Sequence, residues 1–476
     1  MSKIVYRTAA VVPCFLPLFA MAVSRVLPDQ YQFLPRFSRL SAISIFSNMM
    51  VPLAGLVDTA FLGHLADIRH LAGVILASIL FDYLYRVLKF LRTSTTALTA
   101  QAAGLGDTVA VLAAGLRSGA VALGIGLLIL ALQYPIQKLG FALLSGSPTV
   151  ELSGVDYFYG RIWGAPAVLL NFVIIGWFLG QERNGLVLLM SLVGNLSNVG
   201  LDYLTINRWG WASSGAGLAT AWSQYLALLV GLIGLVAITP RATFSQAWAE
   251  LLHRSSLRET VILKSNILIR FLVLITSYAL FTNVSSTLGT TVLAQNGLLL
   301  QIALLSQFTI QGVGMTTQTL TGNFKSKGQT DQLGPLLLVS ILTTLLIALG
   351  FALGAVLFPD VVFGLLTNHE EVNQTLGQYS FWLLPLLELT ALAFMLEGYF
   401  IGLKQGTILR NAVLWAFGAA YLPCLALAIY EQSNHLLWLA LVAYMLALAL
   451  YLGWQFFTKF APHTLAELEQ NPSSVP

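Results

Sequence analysis

LLLVSILTTLLIALGFALGAV, residues Leu336–Val356, decides the fold class. It runs for about twenty residues without a charge, enough for a helix to cross a ~30 Å hydrocarbon core. Leu436–Phe457 reads the same way. Working outward with hydropathy and turn signals, the first half of the chain holds spans near 38–62, 71–91, 108–132, 157–181, 184–206 and 213–239. The second half holds spans near 257–284, 292–317, 333–358, 378–402, 407–431 and 434–458. The composition agrees, with 57% apolar and 9% charged residues among 476. Soluble domains carry about 25% charged residues, and 9% cannot cover a water-facing surface of this size. Alternating ten-residue strands are absent, which argues against a barrel. The expected fold is an all-α polytopic membrane protein of about twelve helices in two six-helix lobes.

Polar segments divide the chain. Residues 1–35 read as an N-terminal extension: Lys3 and Arg7 precede an apolar run to Val23, but Pro13 and Pro17 make a poor spanning helix, and Met21 offers an alternative start. Residues 36–239 form the first lobe, 240–256 an amphipathic linker carrying Arg241, Trp248 and Arg254, 257–460 the second lobe, and 461–476 a tail. If the first span starts inside, fourteen Lys and Arg face inward against three outside (Arg69, Lys138 and Arg208), the other seven lying within or near spans. That bias places both termini in the cytoplasm of an inner-membrane protein.

One shift, 222 residues, aligns the chain with itself without gaps. Leu71-Ala72 falls on Leu293-Ala294, Leu98-Thr99-Ala100-Gln101 on Leu320-Thr321-Gly322-Asn323, and Gly176-Trp177-Phe178-Leu179-Gly180 on Gly398-Tyr399-Phe400-Ile401-Gly402. Six spans is an even number, so the halves are parallel repeats with a cavity expected between them near the midplane. Four polar residues of the first half meet apolar counterparts: Asp58 and Leu280, Asn198 and Ala420, Asp202 and Cys424, Thr220 and Val442. A scaffold role would be needed in both lobes, so one lobe has kept a specialised cluster.

An ionisable residue at membrane depth costs roughly 2.5–3.5 kcal/mol or more, which makes function the default reading of Asp58. Asn198 and Asp202, four apart, share a helix face. Two carboxylates in a poorly hydrated site disfavour the doubly charged state, so one can exchange a proton near neutral pH. The same oxygens, with Asn198 and Thr220, suit Na⁺ equally. The bland alternative is a neutral hydrogen-bonded clamp between helices. Asp82, Arg86 and Lys89 lie on one face of the second span and read either as substrate path or as a structural group, with Lys89 and Arg92 snorkelling. Glu388 and Glu397, roughly on opposite faces of the tenth span, read as one docking charge for a cationic cargo facing the cavity and one residue near an interface. The histidines fall mostly in loops or tails. No Walker-type glycine loop, metal-ligand spacing, disulfide framework or basic nucleic-acid patch is present. Neither an enzyme, a cofactor nor a nucleic-acid partner is expected; the partners are the bilayer and a small-molecule cargo, and the chain is expected to be a monomer.

Ile45-Phe46-Ser47-Asn48, Val51-Pro52-Leu53, Gly55-Leu56-Val57-Asp58-Thr59-Ala60 and Gly63-His64-Leu65 resemble the first span of multidrug and toxic compound extrusion (MATE) transporters, and more narrowly their DNA-damage-inducible (DinF) branch. Phe90–Gln101, Asn198-Val199-Gly200-Leu201-Asp202-Tyr203 and Glu397–Gly402 resemble its second, fifth and tenth spans. The resemblance runs from about residue 36 to 460. It implies two lobes forming a V, alternating access, and export of small amphipathic or cationic compounds by antiport with H⁺ or Na⁺. It also implies that Asp58, Asn198, Asp202 and Thr220 form the first-lobe cation site. Ile43 stands where family members often carry a proline, and the charged trio of the second span departs from the apolar residues of relatives. The alternative is a lipid-linked precursor flippase of the same superfamily. A membrane prenyltransferase would need Asp-rich Mg²⁺ motifs, which the sequence lacks.

Overall fold

The computed structural model describes residues 29–63, 67–143, 148–250, 254–364 and 377–459, all helical or connecting, with no strand among them. Most of the N-terminal extension, His64 and the C-terminal tail lie outside the described residues. In chain order the first half comprises α1 (Leu34–Gly63), α2 (Ile68–Leu88), α3 (Phe90–Gly104), α4 (Thr108–Ala131), α5 (Gln133–Leu143), α6 (Pro148–Ile162), α7 (Ala165–Gly180), α8 (Asn184–Asp202) and α9 (Ala212–Ile238). The linker contains α10 (Arg241–Glu250). The second half comprises α11 (Arg254–Thr287), α12 (Thr290–Lys327), α13 (Leu333–Leu357), α14 (Pro359–Gly364), α15 (Leu383–Gly402), α16 (Gly406–Ala416), α17 (Leu422–Tyr430) and α18 (Asn434–Lys459). Among the described residues, ten helices are long and apolar enough to cross a membrane, or eleven with the bent pair α6–α7. The 30-residue α1 falls where the first span was expected.

Three departures from the expected spans have local causes. The second span does not stop at residue 91: α2 and α3 together form one 36-residue segment, Arg69–Gly104. At 1.5 Å per residue that is ~54 Å, well beyond the hydrocarbon core. Hydropathy falls at Arg92, but the helix continues, and its hydroxyls are satisfied by the helix itself, Thr95 Oγ1 donating to Leu91 O at 2.6 Å and Thr96 Oγ1 to Arg92 O at 3.0 Å. It ends where Asp107 caps α4, its side chain accepting from Ala110 N at 2.8 Å. The fourth span bends by 52° between α6 and α7. Pro166, at the start of α7, lacks the N–H that would continue the helix. The fifth and eleventh spans both contain π-helical turns, Tyr203–Arg208 and Phe417–Tyr421.

The internal repeat reappears as packing. A Cβ added to Gly176 would sit 2.5 Å from Arg92 O, and one on Gly398 would sit 2.9 Å from Gly314 O. Gly180 packs on Thr96, Thr99 and Ala100, and Gly402 on Gln318, Thr321 and Gly322. Every partner in the second half is the first-half residue shifted by the same 222 positions. The loops repeat too, with positive φ at Glu182 (60°) and Lys404 (59°), the corresponding turns after α7 and α15. Without a hydrophobic force between helices in lipid, such glycines allow the close backbone approach that holds them together.

Helices pack mainly within each half. In the first half α6 and α8 flank α9, α7 packs on α3 and α4, and α1 on α8; in the second α12 and α13 pack on α15, and α16 and α17 on α18. The halves meet where α12 crosses α1 and α3, and where α11 touches α3. Polar groups tie this seam. Gln101 Nε2 donates to Gly402 O and Gln318 Nε2 to Thr93 O, both at 2.7 Å. Arg36 pairs with Glu182, whose Oε1 also accepts from Asn323 Nδ2 at 3.1 Å. In the linker, α10 packs on α4 with Ala247 buried and Trp248 exposed, as an amphipathic helix requires.

Candidate functional site

A cavity of about 710 Å³ opens between α1, α2, α3, α6, α7, α8, α9 and α12. Its size falls within the usual range for sites of small organic ligands. Two of the four residues proposed to handle a cation line it: Asn198 on α8 and Thr220 on α9. Thr220 Oγ1 is held by its own helix, donating to Ala216 O at 2.9 Å. Asn198 is 5% exposed, and its Nδ2 has no hydrogen-bond partner among the described residues. Asp202 follows one turn later at the end of α8, 0% exposed and outside the cavity lining. The π turn beginning at Tyr203 redirects the chain there, and Thr205 Oγ1 secures it by donating to Leu201 O and Gly215 O. Such π segments are frequent at functional sites. Asp58 lies on α1, in a stretch whose side chains are outside the description.

The second-span residues meet the cavity more fully than the sequence suggested. Asp82, Arg86, Lys89 and Arg92 all line it. Lys89 Nζ lies 5.2 Å from the centre of the Phe308 ring on α12. Asp82 and Arg86 approach at 3.9 Å with side chains 61% and 42% exposed, a weak pair. A fourth cation, Arg161 on α6, joins them. Its guanidinium lies 4.7 Å from the centre of the Phe81 ring and donates to Tyr157 Oη at 2.7 Å.

The two acids of the tenth span stand elsewhere. Glu397 is 3% exposed and forms a two-pronged pair with Arg270 of α11, joining α11 to α15. Its carboxylate is engaged across the α11–α15 interface, the second of the two positions expected for this pair of acids. Glu388 is half-buried, does not line the cavity, and has Oε1 without a hydrogen-bond partner among the described residues. Neither acid of α15 lines this cavity.

Three basic groups escaped the sequence reading: Arg161, half-buried, and Arg270 and Lys264, buried. Arg161 and Arg270 carry no local motif, and tertiary contacts show what they touch. Lys264, 5% exposed, reaches from α11 to Ser118 Oγ on α4 at 3.0 Å and Ser94 Oγ on α3 at 3.3 Å. The sequence signal was available in all three cases: a basic residue inside an apolar run. His70, read as a loop residue, is instead a node joining α2, α6 and α9, its Nδ1 3.0 Å from Ser153 Oγ and 2.9 Å from Ser213 Oγ.

A duplicated helical bundle that encloses a polar cavity, with a carboxylate buried beside it, is built as a polytopic membrane transporter. The chain belongs to the MatE family, whose model matches residues 44–204 and again 266–425, two stretches starting 222 residues apart. It is 31% identical over 401 residues to DNA damage-inducible protein F of Escherichia coli (strain K12), covering 84% of this chain and 87% of that protein. Among solved structures it resembles a multidrug resistance MATE family transporter of the MOP superfamily in an outward-facing conformation, with TM-score 0.78, 20% identity, and 91% and 96% of the two chains covered. It also resembles a MOP superfamily transporter from Pyrococcus furiosus, described as having a binding pocket of reverse polarity that suggests a different function. That match has TM-score 0.76, 19% identity, and 89% and 95% coverage.

Proposed function

We propose that this protein exports small amphipathic organic compounds across the inner membrane by antiport with H⁺ or Na⁺. The observation that carries the reading is Asp202, fully buried one turn from Asn198, on the helix pair α8–α9 that walls the cavity. A carboxylate kept at that depth costs several kcal/mol, roughly 2.5–3.5 or more, a cost that partners within the protein, a proton or a bound cation offset. Loading Asp202, with Asp58, Asn198 and Thr220, shifts the balance between outward-open and inward-open states in proportion to its differential affinity for the two. The moving parts are the lobes 36–239 and 257–460, joined by the linker 240–256, with both termini in the cytoplasm and the chain acting as a monomer. The seam of Gln101, Gln318 and the Arg36–Glu182 pair is what must open for the opposite face to be exposed.

The test is export from energised vesicles. Asp202→Asn and Asp58→Asn abolish it while the variants keep wild-type yield and helical content. Wild-type export rates in both would remove the coupling role. A second reading, a flippase for lipid-linked anionic precursors, draws support from the cations on the cavity wall.

A further inference from the structure

The charge of the cavity wall selects among cargoes. Arg86, Lys89, Arg92 and Arg161 face a single acid, Asp82, among the described lining residues. Arg86, Lys89 and Arg92 recur every third residue along α2 and the start of α3, so they form one stripe. Among the described residues no carboxylate lies within ion-pair distance of Lys89 or Arg92. Elsewhere inside this protein a buried arginine is matched, as Arg270 is by Glu397. Cations withdrawn from bulk water without an acid are unfavourable, and an incoming anion relieves that cost. A cationic cargo would meet the same field as repulsion.

Opposite the stripe, Leu304, Leu305 and Phe308 of α12 present an apolar wall, and the Phe308 ring already lies beside Lys89. We infer that the cargo is an amphiphilic organic anion, its carboxylate, sulfonate or phosphate head held by Arg86, Lys89 and Arg92 and its apolar body against α12. The inference rests on reading the cavity as the cargo site of an exporter and adds the sign of the cargo's charge. The guanidinium forks of Arg86 and Arg92 suit the paired oxygens of such a head. A volume of about 710 Å³ suits a soluble molecule of drug-like size.

Two probes with the same ring and opposite charge test this by equilibrium dialysis against the purified full-length chain: naphthalene-1-sulfonate and N,N,N-trimethyl-1-naphthylammonium. The sulfonate binds at least about tenfold more tightly than the ammonium, and Lys89→Gln and Arg92→Gln each weaken the sulfonate about tenfold without tightening its rival equally. Arg92→Glu reverses the preference. Arg86→Gln, at a half-exposed position, supplies the same readout if the deeper variants fail to fold. An ammonium that binds as tightly as the sulfonate, or a sulfonate indifferent to these substitutions, overturns the inference. Phosphatidylglycerol added to the detergent changes the sulfonate affinity less than about twofold. Full displacement by it would assign the site to a lipid head and overturn the soluble-cargo assignment. Dialysis needs no gradient, so anion selectivity without transport would sink the export reading alone, and transport without anion selectivity would sink this one alone.

Discussion

Replacing Glu397 with glutamine keeps the side-chain shape and removes one charge from the most enclosed ion pair among the described residues. The Arg270 guanidinium donates through Nε to Oε1 at 2.9 Å and through Nη2 to Oε2, with side chains only 10% and 3% exposed. Its other surroundings are the Phe271 and Phe394 rings, 4.6 Å and 5.3 Å away. After Glu397→Gln the guanidinium stays buried with no countercharge. Breaking a buried pair from one side costs about 3–5 kcal/mol, roughly two to four orders of magnitude in the folded-to-unfolded ratio. The assay is a detergent-denaturation titration of the purified variant, set beside a companion Arg270→Met with Glu397→Leu. The single variant loses that stability and the double variant recovers most of it, since apolar replacement removes both charges together. A Glu397→Gln protein as stable as wild type but unable to export would refute the reasoning and return Glu397 to the substrate path.

Gly176→Ala forces a methyl to within 2.5 Å of Arg92 O and destabilises by about 1–3 kcal/mol, whereas Gly185→Ala, with nothing within 4 Å, is neutral or mildly stabilising; thermal unfolding distinguishes them. Lys264→Met removes a buried cation held by two serine hydroxyls, Ser94 and Ser118, and the unfolding temperature rises if the lysine has no transport role. A lower unfolding temperature together with lost export would mark Lys264 as part of the working mechanism. Glu182→Ala frees Arg36 and Asn323 at the seam, and a cysteine placed at Gln318 then reacts faster with a water-soluble maleimide; an unchanged rate would show that the seam does not depend on this pair.

The spans and the duplication were legible because both are written in one dimension. A run such as Leu336–Val356 needs no partner to be recognised, and a constant offset of 222 survives folding as matching glycine contacts. The bend at Pro166 was written there too, but apolar residues on both sides made one continuous span the simpler reading. Hydropathy ended the second span early, because it weighs Arg92 as a boundary and cannot register that its side chain lines an internal cavity. Site residues were legible in proportion to their locality. Asn198 and Asp202 lie on one helix, so their nearness followed from their spacing. Which of Glu388 and Glu397 sits at an interface was not legible, because the partner of Glu397, Arg270, is 127 positions away in sequence. The sign of the cavity is a sum over α2, α3 and α6, which only packing brings together.

The most direct test of the central claim is dissipation of an imposed gradient. Proteoliposomes carrying the wild-type protein, loaded with a proton or a sodium gradient, lose one of the two faster when cargo is added, and Asp202→Asn vesicles lose neither. If cargo left both gradients untouched in the wild type, or if Asp202→Asn vesicles discharged as wild type does, the buried carboxylate would not be coupling anything.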